Sequence, residues 1–193
     1  MSEGPASEGR AVRLAVPEGA VPEGRAVLLV GHGAPARDAP PELVRRFKAL
    51  EAQRRAAQAP PSPEEIEVDR KLRHWPRDAS NDPYREGLLR LAEHLRPLLG
   101  GNPLALAFNE FCAPSIAEAF AELVDAGARE IVVVPSMLTP GGIHSEIEIP
   151  EELAALRERY PALRIHYAWP FDLDAVAGLL AAQVAAATAS EPS

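Results

Sequence analysis

Two histidines and a glutamate stand out for where they fall. His32 lies in Gly31-His32-Gly33, Glu110 in Phe108-Asn109-Glu110-Phe111, and His144 shortly after Gly141-Gly142. A neutral imidazole can bind a divalent metal or accept a proton, but not both through one lone pair. Two imidazoles and a carboxylate make a site for a borderline divalent ion that keeps coordination positions open. Each residue alone also has a plain structural reading: a turn histidine, a carboxylate paired with an arginine, a loop histidine. Their joint placement carries more weight, because each lies beyond the carboxyl end of a short apolar run, His32 and Glu110 at once and His144 after a loop.

Those runs read as strands. Residues 26–30, 103–108 and 130–134 are short, mainly apolar runs, the third β-branched from Ile131 to Val134, as suits strands buried on both faces. In an open parallel sheet, ligands bind outside the carboxyl ends of the strands. His32, Glu110 and His144 would then meet at one edge. Pro135 ends the third run because it has no N–H to donate. His144 is expected on a flexible loop after Pro140-Gly141-Gly142, with Glu146 and Glu148 at alternate positions beyond it. Glu146 fits a residue that favours a following helix dipole. Glu148 has a second reading, as a secondary metal-entry ligand or proton shuttle.

The remaining chain supplies helices between strands. Leu43, Phe47 and Leu50 share one face of a helix at 41–58, and Leu88, Leu91, Leu95 and Leu98 mark one at 84–99 that Pro97 should kink or end early. Ser115 and Glu118 have capping-box spacing ahead of a helix reaching 126. Further helices are expected at 151–159 and from Asp172 to about 187, with a fourth strand at 163–169. The result is a three-layer α/β fold with a mainly parallel four-stranded sheet. Residues 1–24 are small, polar and rich in Gly, Pro and Glu, and read as a disordered leader. Residues 25–189 read as a single domain. Segment 59–83, opening on Pro60-Pro61-Ser62-Pro63, reads as an insertion with one short helix at 64–74, placed to serve as a lid.

The composition excludes several classes. Among 193 residues, 47% are hydrophobic and 25% charged, which suits a soluble globular chain. The net charge of −8 argues against a general nucleic-acid binder. No apolar run reaches the roughly 18 residues of a membrane span, and no signal peptide is visible. The lone Cys112 has no disulfide partner within the chain, so a reducing cytoplasm is expected; it reads as a small buried hydrophobe. His74 reads as a surface residue, His94 and His166 as structural. Walker, dinucleotide, His-Glu-x-x-His, Cys-x-x-Cys and serine-elbow motifs are absent.

Taken together, strand-Gly31-His32-Gly33, Ala107-Phe108-Asn109-Glu110 leading to Pro114-Ser115-Ile116, and Val132-Val133-Val134-Pro135 with Leu138, Gly142, His144 and Glu148-Ile149-Pro150 resemble the CbiX/SirB-type sirohydrochlorin chelatases. These class II tetrapyrrole chelatases insert cobalt or iron into a tetrapyrrole in cobalamin or sirohaem biosynthesis. The resemblance runs over about 26–187 without the insertion. It implies a chelatase-like domain and a lyase taking Co2+ or Fe2+ as substrate, with no other cofactor. It also implies His32, Glu110 and His144 as the catalytic and metal-site residues, with Glu148 where an aspartate is usual. Ala34 stands where the family usually has serine. An anionic macrocycle implies cationic side chains along the cleft; Arg37, Arg45, Arg46, Arg73 and Arg77 are candidates. Larger members carry two facing halves, and this chain shows no second copy of its motifs, so a homodimer is expected. Two alternatives stand beside the enzyme: a non-catalytic metal- or tetrapyrrole-binding carrier or sensor on this scaffold, and a small metal-dependent hydrolase.

Overall fold

A computed structural model describes residues 24–189. The leader expected at 1–24 falls almost entirely outside the described residues. Four strands, β1 (Arg25–Gly31), β2 (Leu104–Phe108), β3 (Glu130–Pro135) and β4 (Arg164–Tyr167), form one sheet in the order β2-β1-β3-β4, with every pairing parallel. β2 is buried at every position and β1 at all but its first residue. Such strands cannot alternate polar and apolar residues, because helices cover both faces.

One face carries Ala26, Leu28, Val30, Ile131 and Val133, packed by α4 (Ile116–Asp125) and α5 (Ile149–Arg159) through Ile116, Phe120, Leu123, Ile149, Leu153 and Leu156. On the other face, Leu88 and Ala92 of α3 (Pro83–Leu95) pack against Val27, Leu29, Leu104, Leu106 and Phe108. A third cluster lies beneath α1 (Pro41–Ala57) and α2 (Pro63–Arg73), joining Phe47, Leu50, Val68 and Leu72 to Phe111 from the loop after β2. The last helix, α6 (Leu173–Ala189), has no buried residue.

Helix starts follow local rules. Proline occupies the first turn of α1, α2, α3 and α5, where its missing N–H costs nothing. The expected capping box is present: Ser115 Oγ accepts from Glu118 N at 3.2 Å, and Glu118 Oε2 accepts from Ser115 N at 2.6 Å. Asp172 Oδ1 accepts from Asp174 N at 2.8 Å ahead of α6. α3 stops at Leu95, and a 3-10 turn, Arg96–Leu98, takes up Pro97.

One expectation is corrected. His144 is not on an open loop, nor are Glu146 and Glu148 in an extended segment. His144–Glu148 is a π-helical turn that runs into α5, with Ile149 N bonded to His144 O. With no strand partner there, the backbone satisfies its own groups helically, and α5 accordingly begins at Ile149 rather than Glu151. The segment 59–83 carries the short helix expected in it and packs against the rest of the domain. Its helix α2 shares a buried core with α1, and two of its arginines grip the loop after β2. Arg73 donates to Phe108 O, Asn109 O and Cys112 O at 3.1, 2.8 and 3.3 Å. Arg77 donates to the carbonyls of Ala34, Leu72 and Phe111 and pairs with buried Asp82.

Candidate metal centre

The parallel ladder between β1 and β2 continues past the strands. Asn109 N donates to Gly31 O and Glu110 N to His32 O, both at 2.9 Å. His32 and Glu110 are thus held side by side by backbone bonds. Gly33 makes this closeness possible. Its φ is +89°, and a Cβ there would lie 1.9 Å from Glu110 O. Past Glu110 the chain turns sharply: Cys112 N donates to Glu110 O at 2.6 Å, and Phe111 takes φ +59° while 3% exposed against Phe47. A bulky residue in that conformation stores strain, which the surrounding core and the Arg77 grip on Phe111 O hold in place.

The third edge delivers His144. Its ring meets that of His32 edge to face, with centroids 4.4 Å apart. One ligand atom from each of His32, Glu110 and His144 lies within 4.8 Å of the others, the span of a shared ion. The structure therefore brings together all three residues expected at the edge, and adds Glu148, whose Oε2 lies 2.5 Å from His144 Nδ1.

Hydrogen bonding fixes how the imidazoles present themselves. His32 Nδ1 lies 2.7 Å from Gly33 O. A carbonyl can only accept, so Nδ1 carries the proton and the lone pair is on Nε2. Burial alone would raise the Glu148 carboxyl, but hydrogen bonds from His144 and Asn109, with the charges of His144 and Arg55, hold it below the usual range. His144 Nδ1 lies 2.5 Å from Glu148 Oε2, 2.9 Å from Asn109 Nδ2 and 4.0 Å from Glu110 Oε1, so the carboxylate and the amide together set the orientation of the ring. A carboxylate in this place orients a metal-binding histidine. Glu110 is pushed the other way: burial first, then the Glu51 carboxylate, raise it above the usual range against the pull of both imidazoles.

Several contributors are invisible in sequence spacing. Asn109 Nδ2 donates to Glu148 Oε2 at 2.8 Å, Arg55 of α1 pairs with both Glu148 and Glu51, and Tyr84 Oη accepts from His32 N at 2.8 Å. The one available signal was the His-x-x-x-Glu spacing of 144 and 148, which faces two side chains together on a helix. A second carboxylate set, Glu51, Glu110 and Glu148, is also close enough to share an ion, but Arg55 already neutralises two of its members. Glu146 accepts from Gly141 N at 2.6 Å and so ties down the preceding turn.

Beside the centre, a cleft of about 930 Å3 opens between α1, α2 and α5. Its lining includes Glu51, Glu65, Asp69, Glu110, Glu148, Glu151 and Glu152 against Arg54, Arg55 and Arg73. The expected cationic lining is therefore largely absent. Arg73 and Arg77 are committed to backbone carbonyls, Arg46 pairs with Glu64 and Arg45 with Glu42. Cys112 is fully buried, with burial pushing its thiol up to about 11. His74 is half exposed near Glu118, and His166 lies 3.7 Å from Glu130.

The structure defines a class: a parallel α/β domain with two imidazoles and a carboxylate gathered at the carboxyl edge of its sheet, where open α/β sheets bind ligands. The CbiX family model matches residues 79–187, more than half of the chain, and the chain belongs to the CbiX family. The match contains Glu110, His144 and Glu148 and begins downstream of His32. The chain is 35% identical over 69 residues to the sirohydrochlorin ferrochelatase of Priestia megaterium, covering 36% of this chain and 26% of that protein. It is 32% identical over 72 residues to the sirohydrochlorin cobaltochelatase of Methanopyrus kandleri, covering 37% of this chain and 50% of that protein. The match thus spans a quarter to a half of these curated relatives. A solved CbiX protein from Marinobacter aquaeolei VT8 shares the fold with TM-score 0.50 at 18% identity, over 85% of this chain and 96% of that one.

Proposed function

We propose that this protein is a chelatase that inserts Co2+ or Fe2+ into sirohydrochlorin or a related tetrapyrrole, as in cobalamin or sirohaem biosynthesis. The observation that carries this reading is the meeting of His32, Glu110 and His144 at the carboxyl edge of the sheet, with one ligand atom of each within 4.8 Å of the others. The stretch shared with named sirohydrochlorin chelatases supports it.

Insertion exchanges the ion's ligands for four ring nitrogens and expels two pyrrole N–H protons. One imidazole and Glu110 hold the ion while the other imidazole accepts the two protons one after the other and passes each to solvent. Glu148, Asn109 and Arg55 act as positioning residues for His144. Acidic cleft walls concentrate cations beside Glu110, which suits the metal rather than the anionic macrocycle. The metal is a substrate, so a partial ligand set favours its release. Residues 25–189 act as one chelatase-like domain interrupted by 59–83. The protein works in the cytoplasm, and a homodimer supplies the facing wall that larger relatives carry in one chain. Among the described residues no helix is long and apolar enough to cross a membrane.

Anaerobic absorbance spectroscopy with sirohydrochlorin and either ion tests the reading, after subtraction of the uncatalysed rate. A protein-dependent conversion lost in His144→Ala is expected. Tight macrocycle binding without conversion would instead identify a carrier, and neither rate nor binding would reject the substrate.

A further inference from the structure

α6 is built mainly from Ala, Leu and Val, with Asp174, Gln183 and Thr188 as its polar side chains. A helix apolar on every side belongs in an interior. Here Leu173, Leu179, Leu180 and Val184 are 58–65% exposed. Leu173, Val176, Leu180 and Val184 recur at helical spacing and form one stripe. α6 contains no Lys or Arg to meet anionic lipid headgroups.

The same chain leaves a second surface open. α4 and α5 cover the sheet face from which Ile131, Val133, Ile165 and Tyr167 project. On the opposite face of β3 and β4, Val132 and Val134 are only partly buried, and His166 and Ala168 are exposed. α3 packs over β1 and β2 on that side. In a three-layer fold, the helix following β4 is the element suited to this place. α6 follows β4 and leaves the face uncovered.

We propose that the two open surfaces fill each other between copies: α6 of one protomer lies on the β3–β4 face of a second, and the second returns its own α6. Such an exchange is isologous and closes as a two-fold dimer. The area is sufficient. A helix of this length is about 25 Å long, and a contact strip about 10–12 Å wide covers roughly 250–300 Å2 on the helix and as much on the sheet. Two reciprocal contacts then bury about 1,000–1,200 Å2, which reaches the lower range of specific interfaces. The inference rests on the homodimer named above and deepens it by assigning the surface.

Sedimentation velocity on the full chain gives the oligomeric state, and the Leu180→Asp/Val184→Asp variant should shift dimer to monomer with unchanged circular dichroism. Cross-linking assigns the surface. Chains carrying Leu180→Cys and chains carrying His166→Cys, differently tagged and co-expressed, are treated with a short bifunctional maleimide; buried Cys112 stays unreactive. A covalent pair containing both tags, absent when either variant is alone, is the expected result. A chain carrying both substitutions that cross-links only within itself would show α6 folding back, which overturns the exchange. A wild-type monomer overturns the exchange and the homodimer together. A dimer that survives the double aspartate variant and gives no mixed cross-link overturns the exchange alone, and leaves both the homodimer and the chelatase reading standing.

Discussion

Gly33→Ala is the sharpest probe of the arrangement that holds the centre together. The added methyl would sit 1.9 Å from Glu110 O, a backbone atom with no rotamer to move, at a φ of +89°. The backbone conformation alone costs an L-residue about 1–2 kcal/mol, and forcing a methyl into packed surroundings costs about 1–3 kcal/mol. The total of roughly 2–5 kcal/mol is a large part of the ~5–15 kcal/mol that stabilises a domain. At a urea dependence of about 2–3 kcal/mol per molar, the midpoint should fall by about 1–2 M. If the chain relaxes instead, it does so by pushing the 109–111 loop away, which breaks the Glu110 N to His32 O bond and separates the carboxylate from the imidazoles. Calorimetric titration with Co2+ under argon then reads at least a tenfold loss of affinity. Glu110→Gln serves as the control: it removes the ligand charge and keeps the backbone, so it should lose affinity without the drop in midpoint. A Gly33→Ala protein with unchanged midpoint and unchanged Co2+ affinity would refute the argument that backbone closeness builds the site.

Glu148→Ala removes the acceptor that orients His144, so Co2+ affinity should fall about 10–100-fold at an intact fold, whereas Glu146→Ala, which loosens only the Gly141 turn, should stay within about twofold. Arg77→Met strands buried Asp82 and three carbonyls; a loss of about 3–5 kcal/mol is expected from urea unfolding, and a change below about 1 kcal/mol would mean that the grip on the Phe111 turn is dispensable. Cys112, buried with its thiol pushed up to about 11, should resist iodoacetamide at pH 8 and label fully in urea; rapid native labelling would place it at the surface.

Local chemistry accounts for what could be read from the sequence. Unbroken apolar runs announced strands covered on both sides, and Ser115 with Glu118 announced a helix start through groups three residues apart. His32, Glu110 and His144 could be placed together because strand ends in a parallel sheet share an edge. What escaped depends on contacts distant in sequence. Nothing near Arg73 or Arg77 indicates that they bind carbonyls more than 30 residues away, and Arg55 reaches Glu148 across the cleft from another helix. Phe111 gives no local sign of its positive φ, since the strain is met by Phe47 and Arg77. The π-helical turn at 144–148 was hidden because Glu146 and Glu148 fit strand alternation as easily as helical spacing; only the geometry distinguishes them.

The edge-to-face meeting of His32 and His144 also makes the two imidazoles mechanically dependent on each other. With centroids 4.4 Å apart and ring planes at 90°, neither ring can swing far without running into the other. On the chelatase reading the two rings form one stiff wall of the ion site, so a substitution that frees one of them loosens the other as well.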